Sequence, residues 1–175
     1  MSQRDSGYER KERDLYETPE WVTQCLLPHL PKFLNIWEPA CASGKMARVL
    51  GWAGHPVIAT DIDRGWDFLT HPVPEQFFNA IVTNPPYESA TEFITRSLVL
   101  TEPLGGKVAM LLRTDFDHAK TRARLFAECI SFAKKVVLTK RIKWFEDSTG
   151  SPSFNHAWFI WDHKHQGAPT LAYGP

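Results

Sequence analysis

The sequence predicts an α/β protein built on a doubly wound, mostly parallel sheet, and three observations carry that prediction. Apolar runs of strand length alternate with stretches of helical period along the chain. The first run, residues 33–37, passes through a loop of small residues into a helix, the opening unit of such a sheet. Val108 to Leu112 is apolar at every position, as in a parallel strand buried on both faces.

Composition bounds the rest. The 175 residues are 43% hydrophobic and 13% aromatic, enough for one domain with a proper core. Seven tryptophans exceed what so small a core needs, so some are expected to line a site. The net charge of zero hides an asymmetry: residues 113–143 hold nine basic and three acidic side chains, a local +6. A local excess on that scale suits a polyanion, although basic helices also occur as plain solvated faces. Cys25, Cys41 and Cys129 are odd in number and lack CxxC spacing, which implies a reducing, cytosolic setting without a disulfide framework or zinc site. No apolar run approaches the ~18 residues of a membrane span, and the charged N-terminus does not read as a signal peptide.

Residues 1–14 carry four basic and four acidic side chains and read as a disordered or loosely docked arm. The globular part is expected over 15–165, with 166–175 as a C-terminal tail. In Tyr16-Glu17-Thr18-Pro19-Glu20, Thr18 as cap and Pro19 at the first helical position start a helix that runs to about Leu27. No cap requires Tyr16.

After the first strand comes Glu38-Pro39-Ala40-Cys41-Ala42-Ser43-Gly44-Lys45 and a helix with Met46, Val49 and Leu50 inward. The loop matches neither GxGxxG nor a phosphate loop, which argues against a dinucleotide. Its small side chains let a ligand approach the backbone, and a helix N-terminus favours a carboxylate. Residues 56–61 form the second strand, tipped by Asp61. An acid there bonds ribose hydroxyls in nucleoside-binding sheets, or else caps its own turn. Asp67-Phe68-Leu69 reads as a brief third strand and residues 79–83 as the fourth.

The fourth strand ends in Asn84-Pro85-Pro86-Tyr87. Two prolines remove two donors and stiffen the backbone, so a strand cannot continue through them. An amide acceptor, a fixed carbonyl and a flat ring are thereby held together, an arrangement suited to a planar amine. A stiff strand-end turn would use the same residue types.

Residues 88–101 read as a helix and 108–112 as the fifth strand. A basic helix is expected from about Phe116 to Ile130, then a sixth strand at 136–138. Arg113, Asp115, Asp117 and His118 are read as a helix start rather than a metal cluster. The polar stretch 140–155 carries Trp144, Phe145 and Phe154, and a loop of that length is more often functional than filler. Lys140, Arg141 and Lys143 beside it suit phosphates. His156 to Trp161 closes the sheet as a seventh strand, antiparallel because a hairpin-like connection reaches it.

Together these motifs resemble the S-adenosylmethionine-dependent DNA N6-adenine methyltransferases, especially the small phage-type enzymes. The resemblance spans about Tyr16 to Asp162 and rests on Tyr16-Glu17-Thr18-Pro19, the Glu38–Gly44 loop, Asp61, Asp67-Phe68-Leu69, Asn84-Pro85-Pro86-Tyr87 and the aromatic closing strand. It implies a Rossmann-like class I methyltransferase sheet of order 3-2-1-4-5-7-6, S-adenosylmethionine as cofactor and DNA as partner. Tyr16, Thr18 and Pro19 would border the methionine end. Glu38, Pro39, Ala40, Ala42 and Gly44 would bind the amino-acid part. Asp61 would take the ribose, Asp67 the adenine amine, and Phe68 would lie beside the ring. Asn84, Pro85, Pro86 and Tyr87 would be catalytic, with Tyr87 stacking on a flipped base. Trp144, Phe145 and Phe154 would be candidates for covering its other face.

Two departures stand out. Position 42 is Ala where the family usually has Gly. At 175 residues there is also no room for the target-recognition domain of the larger members, so specificity is expected from loops, a homodimer or a separate partner. The same motif also serves enzymes acting on an RNA base amine or a protein glutamine amide. A non-enzymatic binding scaffold is the remaining alternative.

Overall fold

The structure, a computed structural model, describes residues 16–144 and 154–174. Its centre is a seven-stranded sheet: β1 (Ile36–Glu38), β2 (Val57–Ala59), β3 (Ala80–Thr83), β4 (Lys107–Arg113), β5 (Phe132–Leu138), β6 (His156–Asp162) and β7 (Thr170–Gly174). The strands lie in the order β2-β1-β3-β4-β6-β5-β7. All neighbours are parallel except β6, which runs antiparallel between β4 and β5.

The continuous apolar runs are explained by two cores, one on each face. Neighbouring residues along a strand point to opposite faces. Ile36, Val82, Leu111 and Trp158 therefore pack against α1 (Glu20–Leu26) and α2 (Lys45–Trp52). Trp37, Ile81, Met110, Phe159 and Trp161 face the other way, where α3 (Ala90–Thr101) supplies Phe93 and Ile94. The indoles of Trp37, Trp158 and Trp161 are fully buried, and each donates its N–H to an oxygen: Thr60 Oγ1, the Val22 carbonyl and the Leu125 carbonyl. Burying an indole without such a partner would cost most of its apolar gain.

Three expectations are corrected. Asp67-Phe68-Leu69 is a turn and not a strand: the Asp67 carboxylate accepts from the Leu69 amide and the Thr70 hydroxyl, both at 2.9 Å. The sheet thus loses an edge strand beside β2. At the opposite edge it gains β7 from residues expected as tail, because Thr170 to Gly174 pairs in parallel with β5. The basic helix over 116–130 is replaced by 3₁₀ turns at Phe116–His118 and Lys120–Leu125, separated by an extended Ala119. Tertiary contacts outcompete helix propensity there. Arg122 donates to the Phe116 carbonyl and covers its ring at 3.9 Å, while Asp117 is drawn to Lys135 at 2.8 Å.

Among the described residues no helix is long and apolar enough to cross a membrane. The N-terminal arm and Phe145 lie outside the described residues.

Candidate active site

The carboxyl ends of β1, β3, β4 and β5 and the start of antiparallel β6 share one end of the sheet, where ligands bind in open α/β folds. A small, open cavity lies there. Its walls come from three stretches far apart in sequence: Tyr16 to Thr18, the loop after β1, and Asn84.

The loop is held by an acid and a base on the two peptides that flank Ala42. The Asp61 carboxylate accepts from the Ala42 amide at 2.7 Å and from the Asp63 amide at 2.9 Å, while Arg64 donates to the Ala42 carbonyl at 3.1 Å. Ala42 itself sits at φ 47°, and Gly44, the residue before α2, at φ 86°. Left-handed backbone costs a side-chain-bearing residue about 1–2 kcal/mol, and Gly nothing comparable. Ala42 is therefore strained in the way its departure from Gly suggested, and Asp61 and Arg64 hold it there. The carboxylate expected on a ribose is here bound to the loop and its own turn.

Glu38 ends β1 at 2% exposure, and its Oε2 has no hydrogen-bond partner among the described residues. Burial pushes its carboxyl up to about 8, Asp61 adding to the effect and an Ala47 backbone contact opposing it. A buried acid with one oxygen unpartnered on a cavity wall is expensive to ionise unless a ligand completes it. Across the cavity mouth Lys45 pairs with Glu17 at 2.6 Å, which draws the Tyr16–Thr18 segment onto the loop. Lys45 and, after it, the Ser43 side chain hold the Glu17 carboxyl below its usual range. The walls thus offer an acid for an ammonium and an ammonium for a carboxylate. Neither Glu17 nor Lys45 was given a role from sequence, although Glu17 lies within one of the motifs and Lys45 directly follows another. Thr18 and Pro39 are buried beside them, and Pro19 precedes α1, its carbonyl accepting from Val22.

Asn84 lines the same cavity. Its Nδ2 donates to the Tyr16 carbonyl at 3.1 Å, which leaves Oδ1 as the acceptor end of the amide. Pro85 is buried, Pro86 exposed, and Tyr87 opens a short 3₁₀ turn before α3. Four rings cluster beside them. Tyr16 meets Tyr87 at 6.4 Å and Trp144 at 5.3 Å, both edge-on, and Trp144 meets His156 at 5.3 Å. The Tyr87 hydroxyl lies 2.6 Å from His156 Nε2. His156 entered the sequence reading only as part of a strand, since a lone histidine at a strand start carries no local signal.

The remaining expected residues are more dispersed. Phe68 is core, at 5.0 Å from Trp37 and 4.7 Å from Phe93. The backbone amide of Leu69 and, next, the Thr70 hydroxyl hold the Asp67 carboxyl low. Phe154 lies under the Arg113 guanidinium at 4.2 Å, and Arg113 in turn grips Asp115 with two hydrogen bonds. Lys140 sits over Trp21 at 5.3 Å, Arg141 donates to Asn155, and Lys143 is exposed next to Trp144.

No family model matches the chain, and no curated protein matches it in sequence. Solved structures do. A putative class I S-adenosylmethionine-dependent methyltransferase from Listeria monocytogenes superposes with a TM-score of 0.64 at 13% identity, over 90% of this chain and 65% of that one. A putative RNA methyltransferase from Pyrococcus horikoshii gives 0.58 at 11% identity, over 81% and 80%. The fold is that of the class I methyltransferases. A modification subunit of a putative type I restriction enzyme from Vibrio vulnificus shares it, with a TM-score of 0.59 at 13% identity over 90% of this chain and 46% of that one. The chain thus spans less than two thirds of the Listeria and Vibrio proteins. In its central six strands the methyltransferase order expected from sequence holds, and the two sheet edges differ as described.

Proposed function

We propose that this protein transfers a methyl group from S-adenosylmethionine to the exocyclic N6 amine of adenine in DNA. The observation that carries the reading is the tie between Asn84 Nδ2 and the Tyr16 carbonyl, which leaves the amide oxygen as acceptor on the wall of the cavity that Glu38 lines.

The cofactor fits the residues present. The orphaned Glu38 oxygen is an acceptor for its ammonium, Lys45 and the start of α2 suit its carboxylate, and Asp61 lies at the tip of β2 for the ribose. Asp67 and Phe68 remain the candidates for its adenine end. Bound there, S-adenosylmethionine supplies a methyl group made electrophilic by the sulfonium.

The rest falls to the protein. The adenine N6 lone pair is delocalised into the ring, so the amine is a weak nucleophile. The Asn84 Oδ1 and the Pro85 carbonyl each accept one N6–H, which favours a tetrahedral nitrogen. No strong general base is needed, because the proton leaves after transfer. Positioning and charge placement supply most of the acceleration. A base within a duplex cannot reach this site and has to be flipped out, with Tyr87 as its stacking surface. Lys140, Arg141 and Lys143, exposed at the same end of the sheet, suit the flanking phosphates.

Sequencing the DNA of cells that express the protein tests the reading: N6-methyladenine appears with the wild type and not with Asn84→Ala. An RNA base amine or a glutamine amide would use the same acceptors. Labelled cofactor offered with DNA, RNA and protein decides among them, and label in RNA or protein alone overturns the DNA assignment.

A further inference from the structure

His156 has no part in the chemistry just described, yet its place in the fold is specific. It opens β6 directly opposite Arg113 at the site end of the sheet and is 2% exposed. Three contacts surround it: the Tyr87 hydroxyl at 2.6 Å from Nε2, the Trp144 ring edge-on at 5.3 Å, and the Tyr87 ring tilted by 36° at 6.3 Å. A strand start within an apolar core does not call for a histidine. Leu or Phe would fill the volume without the cost of burying two ring nitrogens. Nor does the turn at Tyr87 require a phenol, since its backbone is set by the prolines before it and α3 after it.

We propose that His156 is a positioning residue: its Nε2, bonded to the Tyr87 hydroxyl, fixes the tyrosine ring as the stacking platform for the target base beside Asn84. The proposal rests on the reading of Asn84 to Tyr87 as a base pocket. Burial keeps both partners of the bond neutral. Burial, and after it the Arg113 charge, push the imidazole down to about 4, against smaller opposing effects of the Phe154 carbonyl and Asp115. Burial likewise pushes the Tyr87 phenol up. At neutral pH the ring is uncharged and the phenol keeps its proton, so the hydroxyl and Nε2 share one hydrogen bond between neutral groups, its donor set by the imidazole tautomer. Tyr16, edge-on to Tyr87 at 6.4 Å, limits the ring from the other side. A platform fixed in advance spares the base the cost of immobilising it on binding.

The test uses the full chain and four proteins: wild type, Tyr87→Phe, His156→Leu and the double variant, with His156→Gln as the conservative replacement. Each single change is expected to lower kcat/KM for DNA adenine about tenfold, in line with losing one pre-fixed side chain. Cofactor affinity by calorimetry stays unchanged. The double variant is no worse than either single one, because both remove the same bond. The glutamine amide reaches about as far as Nε2 and recovers part of the loss. Imidazole nitrogen NMR gives a readout independent of turnover: one neutral tautomer from pH 5 to 8, with the Nε2 resonance displaced by Tyr87→Phe. Losses that multiply in the double variant overturn the proposal, as does an Nε2 resonance that Tyr87→Phe leaves in place. Should His156→Leu fail to fold, the Tyr87→Phe spectrum and kinetics decide alone. A wild type that methylates no DNA adenine overturns the parent reading together with this one, and is told apart by the absence of product.

Discussion

The side chain of Asn84 and the backbone of Tyr16, 68 residues apart, meet in a hydrogen bond of 3.1 Å. The bond settles which end of the amide faces the cavity. It also gives the segment before the first helix a role, since residues 16–18 wall the cavity and the Tyr16 carbonyl orients the acceptor on its far side. Asn84→Ala is expected to lower methyl transfer by at least ~10²-fold, as for other preorganised polar groups, with cofactor affinity within about twofold of wild type. Asn84→Asp keeps an oxygen in place but sets a carboxylate against the Tyr16 carbonyl. It should lose activity and also shift the Tyr16 segment, seen as increased amide exchange at residues 16–18.

Ala42 carries left-handed backbone that Gly would adopt freely. Ala42→Gly is expected to stabilise the protein by up to about 1 kcal/mol, the relieved strain being partly offset by the freer unfolded chain. For a chain of this size that is a rise in melting temperature of roughly 2–4 °C by calorimetry. Ala42→Val, β-branched at the same φ, should lower it. Equal melting temperatures for Gly and Ala would show that Asp61 and Arg64 do not hold a strained peptide.

The strands and the two sharpest loops were legible because they are local: apolar runs bounded by Pro and Gly report a buried sheet whatever surrounds them. Phe68 shows the limit of that logic. Asp67-Phe68-Leu69 has strand composition, but the Asp67 side chain captures the following amide, and Phe68 is buried as a lone anchor rather than as part of a ladder. The 116–130 segment fails for the complementary reason, since Arg122 and Lys135 impose contacts that a helical period cannot show. At the site, Asn84 and Glu38 were visible in their motifs. His156 and Lys45 were not, because their roles depend on Tyr87 and Glu17, partners brought to them only by folding.

Exposed cations at the site end predict a salt signature. If Lys140, Arg141 and Lys143 contact phosphates, replacing all three with Ala should flatten the plot of log affinity for DNA against log salt. Each lost contact changes the slope by roughly 0.9. Fluorescence anisotropy between 50 and 200 mM salt, both approximate limits, measures it. An unchanged slope places the DNA elsewhere.

Two buried groups with large shifts shape the stability profile of the cofactor-free protein between pH 4 and 8. His156 falls from the usual 6.5 to about 4, so the unfolded chain binds its proton first, and stability is lost as pH falls from 6.5 through 4. By itself this shift is worth about 3 kcal/mol. Glu38 rises from 4.5 to about 8, so its contribution is complete below 4.5 and is lost as pH rises through 8. Between pH 4.5 and 6.5 the two slopes oppose each other. Urea denaturation across pH should therefore show a plateau in that window with a decline on both sides. His156→Leu should reduce the acid-side loss to the part owed to carboxylates held low, such as Glu17 and Asp67, and turn the plateau into a decline that begins near pH 4.5.

Glu38→Gln separates folding from binding at one atom. In the cofactor-free protein it replaces a buried acid by a neutral amide of the same shape. It should therefore raise stability above pH 8, where wild-type Glu38 has to ionise with Oε2 unpaired. For the cofactor the sign reverses, because the amide cannot answer an ammonium with charge, and affinity should fall about tenfold or more, the worth of a charge-assisted bond. Wild-type binding at pH 7 should release about one proton, as Glu38 ionises on meeting the ammonium, and the variant should release none. Calorimetry in two buffers of different ionisation heat counts that proton. A variant that binds as tightly as wild type, with the same proton release, would remove Glu38 from the cofactor site.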